Sequence, residues 1–233
     1  MRAATALMLL LLTGGCGGAA PTQPAPLALP PPKVPPPSGQ APPAEFSALL
    51  DHVRKRATLW REGAPINSLV LDDRQTVLSP VAIDCQRRPP AVMIDLDDGQ
   101  RGPLQPDATG VKTAAGWADA AAAIRAENVS IVWITDQSVA SASALAMLLE
   151  RAGLDPARAD SVAGRDTATD RKQHIRQRLA LRYCILAVVG DLRADADEAY
   201  DYLRSPDTLL PIDRNWGEGW FLLPPPLVVE GQN

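Results

Sequence analysis

Aspartates standing after three apolar runs are the residues of this chain best suited to chemistry. Asp95-Leu96-Asp97-Asp98-Gly99 follows the run 90–94. Thr135-Asp136-Gln137 follows 130–134, and Gly190-Asp191, with Asp195 just beyond, follows 184–189. Lys172 lies between the second run and the third. With those runs side by side, Asp95, Asp97, Asp191 and Asp195 converge near one hydroxyl and one ammonium. Carboxylates that close repel one another, and desolvation makes the repulsion worse. A divalent cation relieves it, and an all-oxygen donor set with no His or Cys cluster points to Mg²⁺ rather than Zn²⁺. Such a site suits phosphoryl transfer, which needs charge neutralisation and an in-line nucleophile. One aspartate can be that nucleophile. A second acid two residues on can protonate the leaving alcohol and then activate water. A hydroxyl and backbone N–H groups at a strand–helix junction can hold phosphate oxygens, and a lysine can complete the cage.

The elements that must position these groups are legible from periodicity. Residues 46–62 have helical spacing, with Phe46, Leu49, Leu50, Val53 and Leu59 on one face. Residues 70–81 read as irregular. The runs 90–94, 130–134 and 184–189 are short, apolar and strand-like, and 219–223 is a last short strand before Pro224-Pro225-Pro226. Helices are predicted over 117–126, over 141–152 with Gly153 just past its end, over the basic stretch 170–182, and over 195–203. Residues 99–112 read as loop. Strands alternating with helices imply a mainly parallel sheet covered on both faces, a three-layer α/β sandwich. In such sheets ligands bind at the carboxyl ends of the strands, where the acids stand.

These residues resemble, in order, the four motifs of the haloacid dehalogenase-like superfamily. Its Asp-x-Asp-x-Thr corresponds to Asp95–Gly99. Its strand-ending Thr or Ser corresponds to Thr135, its Lys to Lys172, and its Gly-Asp with a later acid to Gly190-Asp191 and Asp195. Motif spacing and the N-terminus are most similar to the bacterial class C acid phosphatases, and Trp220–Pro224 resembles their strand-then-proline ending. The resemblance implies a Rossmann-like fold with a small or minimal cap and Mg²⁺-dependent hydrolysis of small phosphomonoesters. Under it Asp95 is nucleophile and metal ligand. Asp97 is general acid/base and also reaches the metal. Thr135, Asp136 and Lys172 bind phosphate, Asp191 is a metal ligand, and Asp195 supports the metal or Lys172. Three positions depart from the pattern: Gly99 stands for Thr, Asp136-Gln137 for Asn-Arg, and Leu192 for Asn or Asp. Those departures motivate a second reading, a binding or scaffolding protein that keeps the fold without the activity. Phosphoryl transfer to a different acceptor is a third.

Simpler readings stand beside these. Lys172 lies among Arg171, Arg176, Arg178 and Arg182, a pattern that also describes a solvated helix face. Thr135 can merely cap a helix. His52 and His174 are the only histidines, with surface placement as the default. No Gly-x-Ser-x-Gly elbow supports a serine hydrolase.

Residues 1–16 read as a lipoprotein signal: Met1-Arg2, the apolar run Leu7–Leu12, then Thr13-Gly14-Gly15-Cys16, with Cys16 as the lipidated residue. The run is too short to span a bilayer. Residues 17–44 form a proline-rich tether, and 45–230 the phosphatase-like domain. The expectation is an exported protein anchored through Cys16 to the outer membrane and facing the periplasm. A net charge of −4 over 233 residues, with no basic face, argues against nucleic-acid binding. Beyond Cys16 the cysteines are Cys85 and Cys184. An oxidising compartment allows them to pair, and two buried thiols is the equal alternative.

Overall fold

The computed structural model describes residues 44–72, 78–205 and 207–229. The signal segment, Cys16, almost all of the tether and the centre of 70–81 lie outside the described residues. In chain order the elements are α1 (Ala44–Arg61), β1 (Asn67–Leu71), β2 (Ala82–Asp84), β3 (Pro90–Asp95), β4 (Val111–Thr113), α2 (Trp117–Ala126), β5 (Ser130–Ser138), α3 (Ala142–Arg151), β6 (Ser161–Arg165), α4 (Lys172–Ala180), β7 (Cys184–Gly190), β8 (Trp220–Leu222) and β9 (Leu227–Val229). Short 3₁₀ turns cover Arg193–Asp195, Glu198–Tyr202 and Pro211–Asn215.

A five-stranded sheet of order β6-β5-β3-β7-β8 forms the centre, and every pairing in it is parallel. Its middle strands are buried on both faces, which is why they read as unbroken apolar runs. Successive residues point to opposite faces. Val92, Ile94, Ile131 and Trp133 pack under the buried stripes of α1 to α3 (Phe46, Trp117, Ile124, Leu148). Ala91, Met93, Val132 and Ile134 pack under Ile175 and Leu179 of α4, with Val70 of β1 and Tyr200 of a 3₁₀ turn. In β7 the register shifts against β3 between the partners of Ala91 and Val92. This bulge turns both Leu186 and Ala187 to the first face. The predicted three-layer α/β sandwich is therefore the observed one.

Several boundaries differ from the sequence reading. β5 runs on to Ser138 rather than ending at Ile134, because β6, which the sequence leaves unassigned, pairs with it as far as Ser138 opposite Arg165. The predicted helix over 195–203 is instead two 3₁₀ turns. Asp195 and Asp197 turn their carboxylates onto the backbone N–H groups of Leu192 and Ala199, at 2.8 and 2.9 Å, and so compete with helical pairing. Two antiparallel ribbons, β1-β2 and β4-β9, flank the sheet. Between β3 and α2 there is only loop and β4, so no large cap covers this side of the strand ends. His52 is not on the surface: its part-buried Nε2 donates to the Leu186 carbonyl at 3.0 Å, and burial lowers its pKa.

Cys85 and Cys184 form a disulfide with Cα atoms 4.8 Å apart, which decides between the two alternatives the sequence left open. It staples the turn after β2 to the first residue of β7, across 99 positions of chain. Closing so long a loop in the unfolded chain makes the bond stabilising. Replacing both cysteines by Ala is expected to lower stability by about 2–4 kcal/mol in a urea titration.

Candidate active site

Lys172, the first residue of α4, reaches into the carboxyl ends of β3 and β5. Its ammonium lies 2.6 Å from Asp95 Oδ2, 2.9 Å from Asp97 Oδ2, and 3.7 Å from both Asp136 Oδ2 and Asp195 Oδ1. Its side chain is only 15% exposed, so the solvated-face reading of Lys172 fails. Burial opposes the ammonium's charge, but Asp95, Asp97 and Asp195 outweigh it and raise the Lys172 pKa. Asp95 is buried at the floor, with its Oδ1 accepting from the Asp97 N–H at 2.9 Å. Burial first, and then the nearby Asp195 and Asp97 carboxylates, raise the Asp95 pKa well above the usual carboxylate range, against the pull of Lys172. Asp95 and Asp195 are themselves within hydrogen-bonding reach. The cluster thus holds more negative charge than its one ammonium balances, and that excess works in the same direction as burial on Asp95.

Asp97 is tightly held. Its carboxylate accepts from Thr135 Oγ1 at 2.6 Å, from the Asp136 N–H at 2.7 Å, and from Lys172. Thr135, expected to bind phosphate, here donates its hydroxyl to Asp97. Thr135 lies inside β5, buried, with its hydroxyl spent on Asp97 and also accepting from the Gln137 N–H at 3.1 Å. There is no strand–helix junction at this point and no helix for Thr135 to cap. The Asp136 and Gln137 N–H groups are both occupied within the site.

Asp191 stands apart from Lys172. Its Oδ2 accepts from the Gly99 N–H at 2.9 Å, and its Oδ1 is buried with no partner. Burial, together with the nearby Asp195 and Asp98 charges, raises its pKa. The predicted four-carboxylate set is therefore gathered as three around Lys172, with the fourth tied to the first motif's loop. Among the described residues no three of His, Cys, Asp and Glu are assembled as a ready metal site. The donor chemistry still suits a hard divalent cation. The set is all oxygen, it carries excess negative charge, and it includes a buried carboxylate oxygen without a partner.

The Gly99 and Leu192 departures belong together. A Cβ at Gly99 would sit 2.4 Å from Leu192 Cγ, so the apolar side chain occupies the space that a threonine would fill. Gly190 is similarly required, since a Cβ there would lie 2.3 Å from Asp195 Cβ. Gly99→Thr is expected to destabilise by about 1 kcal/mol, the low end for overpacking because half-exposed Leu192 can swing outward. Adding Leu192→Asn should return most of that in a double-mutant cycle read by thermal melting.

Arg176 was hidden from sequence reasoning inside the basic stretch. It is fully buried, with its guanidinium donating to Gln173 Oε1 at 2.9 and 2.8 Å and to the Asp195 carbonyl at 2.9 Å. It braces Asp195 from below. The usable signal was spacing: Lys172 and Arg176 are one helical turn apart and share a face. Above the acids opens a cavity of about 580 Å³, with Asp97, Asp136, Lys172 and Asp195 in its wall.

No protein-family model matches the chain, and no curated sequence matches it significantly. Among solved structures it is similar to a class C acid phosphatase from Bacillus anthracis, at 15% identity and a TM-score of 0.43, over 79% of each chain. It is likewise similar to a Bacillus anthracis class C acid phosphatase with tungstate bound, at 17% identity and the same TM-score and coverage. Likeness of this size fixes neither family nor activity.

Proposed function

We propose that this protein hydrolyses small phosphomonoesters by transferring the phosphoryl group to Asp95 and then to water. The observation that carries the reading is Lys172, whose ammonium lies within 2.9 Å of both Asp95 and Asp97 at the carboxyl end of the central strand β3. Asp95 attacks phosphorus and the ester oxygen leaves with a proton. Asp97, two residues on and fixed by Thr135 and the Asp136 N–H, is placed to give that proton when it carries one itself, and then, as the carboxylate left behind, to take one from the attacking water. Lys172 turns from Asp95 Oδ2 toward the transferring oxygens and neutralises their charge. Asp136, at the cavity wall, orients the ester. Asp95 and Asp191, with Asp97 and Asp195 beside them, would hold Mg²⁺, which supplies charge neutralisation for a doubly anionic phosphate.

The test is release of phenolate from an aryl phosphate by the full chain, with and without Mg²⁺. Turnover that requires Mg²⁺ and is lost in chelator is the expected result. No turnover across a panel of phosphate esters with Mg²⁺ present would overturn it. That outcome would favour the non-catalytic binding protein, a reading to which the commitment of the Thr135 hydroxyl to Asp97 lends weight.

The disulfide agrees with an oxidising compartment. With the signal-like N-terminus it supports export, and anchoring through Cys16 is proposed on the sequence pattern alone. A small soluble phosphate ester is the matching substrate class for an open cavity, and no nucleic-acid partner is proposed.

A further inference from the structure

Arg165 ends β6, the edge strand next to β5, and lines the same cavity as the acids. Its Nε is buried without a hydrogen-bond partner, and it makes no ion pair among the described residues. The other cations of that wall are engaged. Lys172 is held by Asp95 and Asp97, Arg171 by Glu198 at 2.8 Å, and Arg176 by Gln173 and the Asp195 carbonyl. The backbone beneath Arg165 is also fixed. A Cβ at Gly164 would lie 2.4 Å from the Gln137 carbonyl oxygen, so β6 is drawn against the end of β5 where Asp136 stands.

From this placement we infer that Arg165 forms a second anion subsite, and that the substrate is a phosphomonoester carrying a further phosphate or carboxylate. The inference rests on the phosphatase reading above and names its substrate class. Two sheet spacings separate β6 from β3, roughly 10 Å at ~4.8 Å per strand. Arg165 thus starts two strands away from Asp95, on the side where the rest of a substrate would extend. A planar guanidinium with its donors unspent matches a carboxylate or phosphate through two parallel hydrogen bonds. It also offsets the repulsion that a second anion would feel from Asp136, Asp195 and Glu198 in the same wall.

The experiment compares a series of α,ω-alkanediol bisphosphates of increasing length with the matching alkyl monophosphates, on the full chain with Mg²⁺. Turnover and calorimetric binding are both read. The expected result is that one bisphosphate binds and reacts better than its monophosphate. Arg165→Gln should remove that preference, a loss of roughly 10- to 100-fold for one charge-assisted contact, and leave the monophosphate unchanged. Arg165→Lys should recover only part of it, because an ammonium cannot make the paired contact. A wild type without preference, or a variant that weakens both series equally while melting normally, overturns the subsite. If neither series is turned over, the phosphatase reading fails. The binding preference and its loss in Arg165→Gln then still decide the subsite.

Discussion

Replacing Asp95 by Asn is expected to reduce phosphate-ester hydrolysis by at least roughly 10⁴-fold, because a carboxamide of the same shape cannot accept the phosphoryl group. The readout is steady-state turnover of an aryl phosphate at saturating Mg²⁺. Retained turnover would remove Asp95 from the chemistry altogether. A second measurement separates this loss from unfolding. In chelator, the raised pKa of Asp95 means that the folded state holds a proton that the unfolded chain releases at lower pH. The sign follows from linkage: the associated stability is fully present below the ordinary carboxylate pKa and is lost as pH climbs through the raised one. The metal-free wild type should therefore melt at lower temperature as pH rises across that window. Asp95→Asn has no proton to lose at this position, so its melting curve should stay flatter and lie at or above the wild type at neutral pH. An inactive variant of undiminished stability is what a buried nucleophile among like charges requires.

The parts of this molecule that the sequence showed plainly are those whose environment is uniform along the chain. β3 and β7 are buried at every position, so their apolar runs announce central strands. Asp95 and Gly190-Asp191 then fall at the strand ends by position alone. β6 carries Ser161-Val-Ala-Gly-Arg with only Gly164 fully buried, and an edge strand half in solvent has neither a long apolar run nor clean alternation. Missing it hid the continuation of β5 past Ile134, and with that the true setting of Thr135. The acids' convergence was readable; their division was not. Asp191 turns to the Gly99 N–H, and Leu192 fills the space beside Gly99; both are contacts between residues distant in sequence. The disulfide was beyond reach for the same reason, since pairing requires a Cα separation that no spacing encodes. The 3₁₀ turns after β7 trace to Asp195 and Asp197 capping backbone N–H groups, a competition that aspartate-rich composition hints at without locating.

Lys172→Met is expected to be the most destabilising single change in the site, about 3–5 kcal/mol at neutral pH, because it strands buried carboxylates without their cation. Asp95 and Asp97 lose contacts of 2.6 and 2.9 Å, and Asp195 and Asp136 lose a charge at 3.7 Å. Arg176 remains beneath the cluster, but its guanidinium is committed to Gln173 and the Asp195 carbonyl. Acidification should rescue the variant. Without Lys172 to pull the Asp95 pKa down, burial and its acid neighbours act unopposed, so protonation relieves the repulsion at a higher pH than in the wild type. Mg²⁺ should rescue it as well, by a larger rise in melting temperature than the wild type shows, since the ion would then be the site's principal counter-charge. Activity should stay low under either rescue, because no ammonium is left to meet the transferring oxygens. Melts of wild type and variant, across pH and with Mg²⁺ or chelator, measure all of this. Identical stabilities at neutral pH would mean that the acids hold their own protons and that Lys172 is no keystone of the charge balance. Restored folding without restored turnover would separate the two tasks assigned to Lys172: holding the acids together at rest, and neutralising phosphate during transfer.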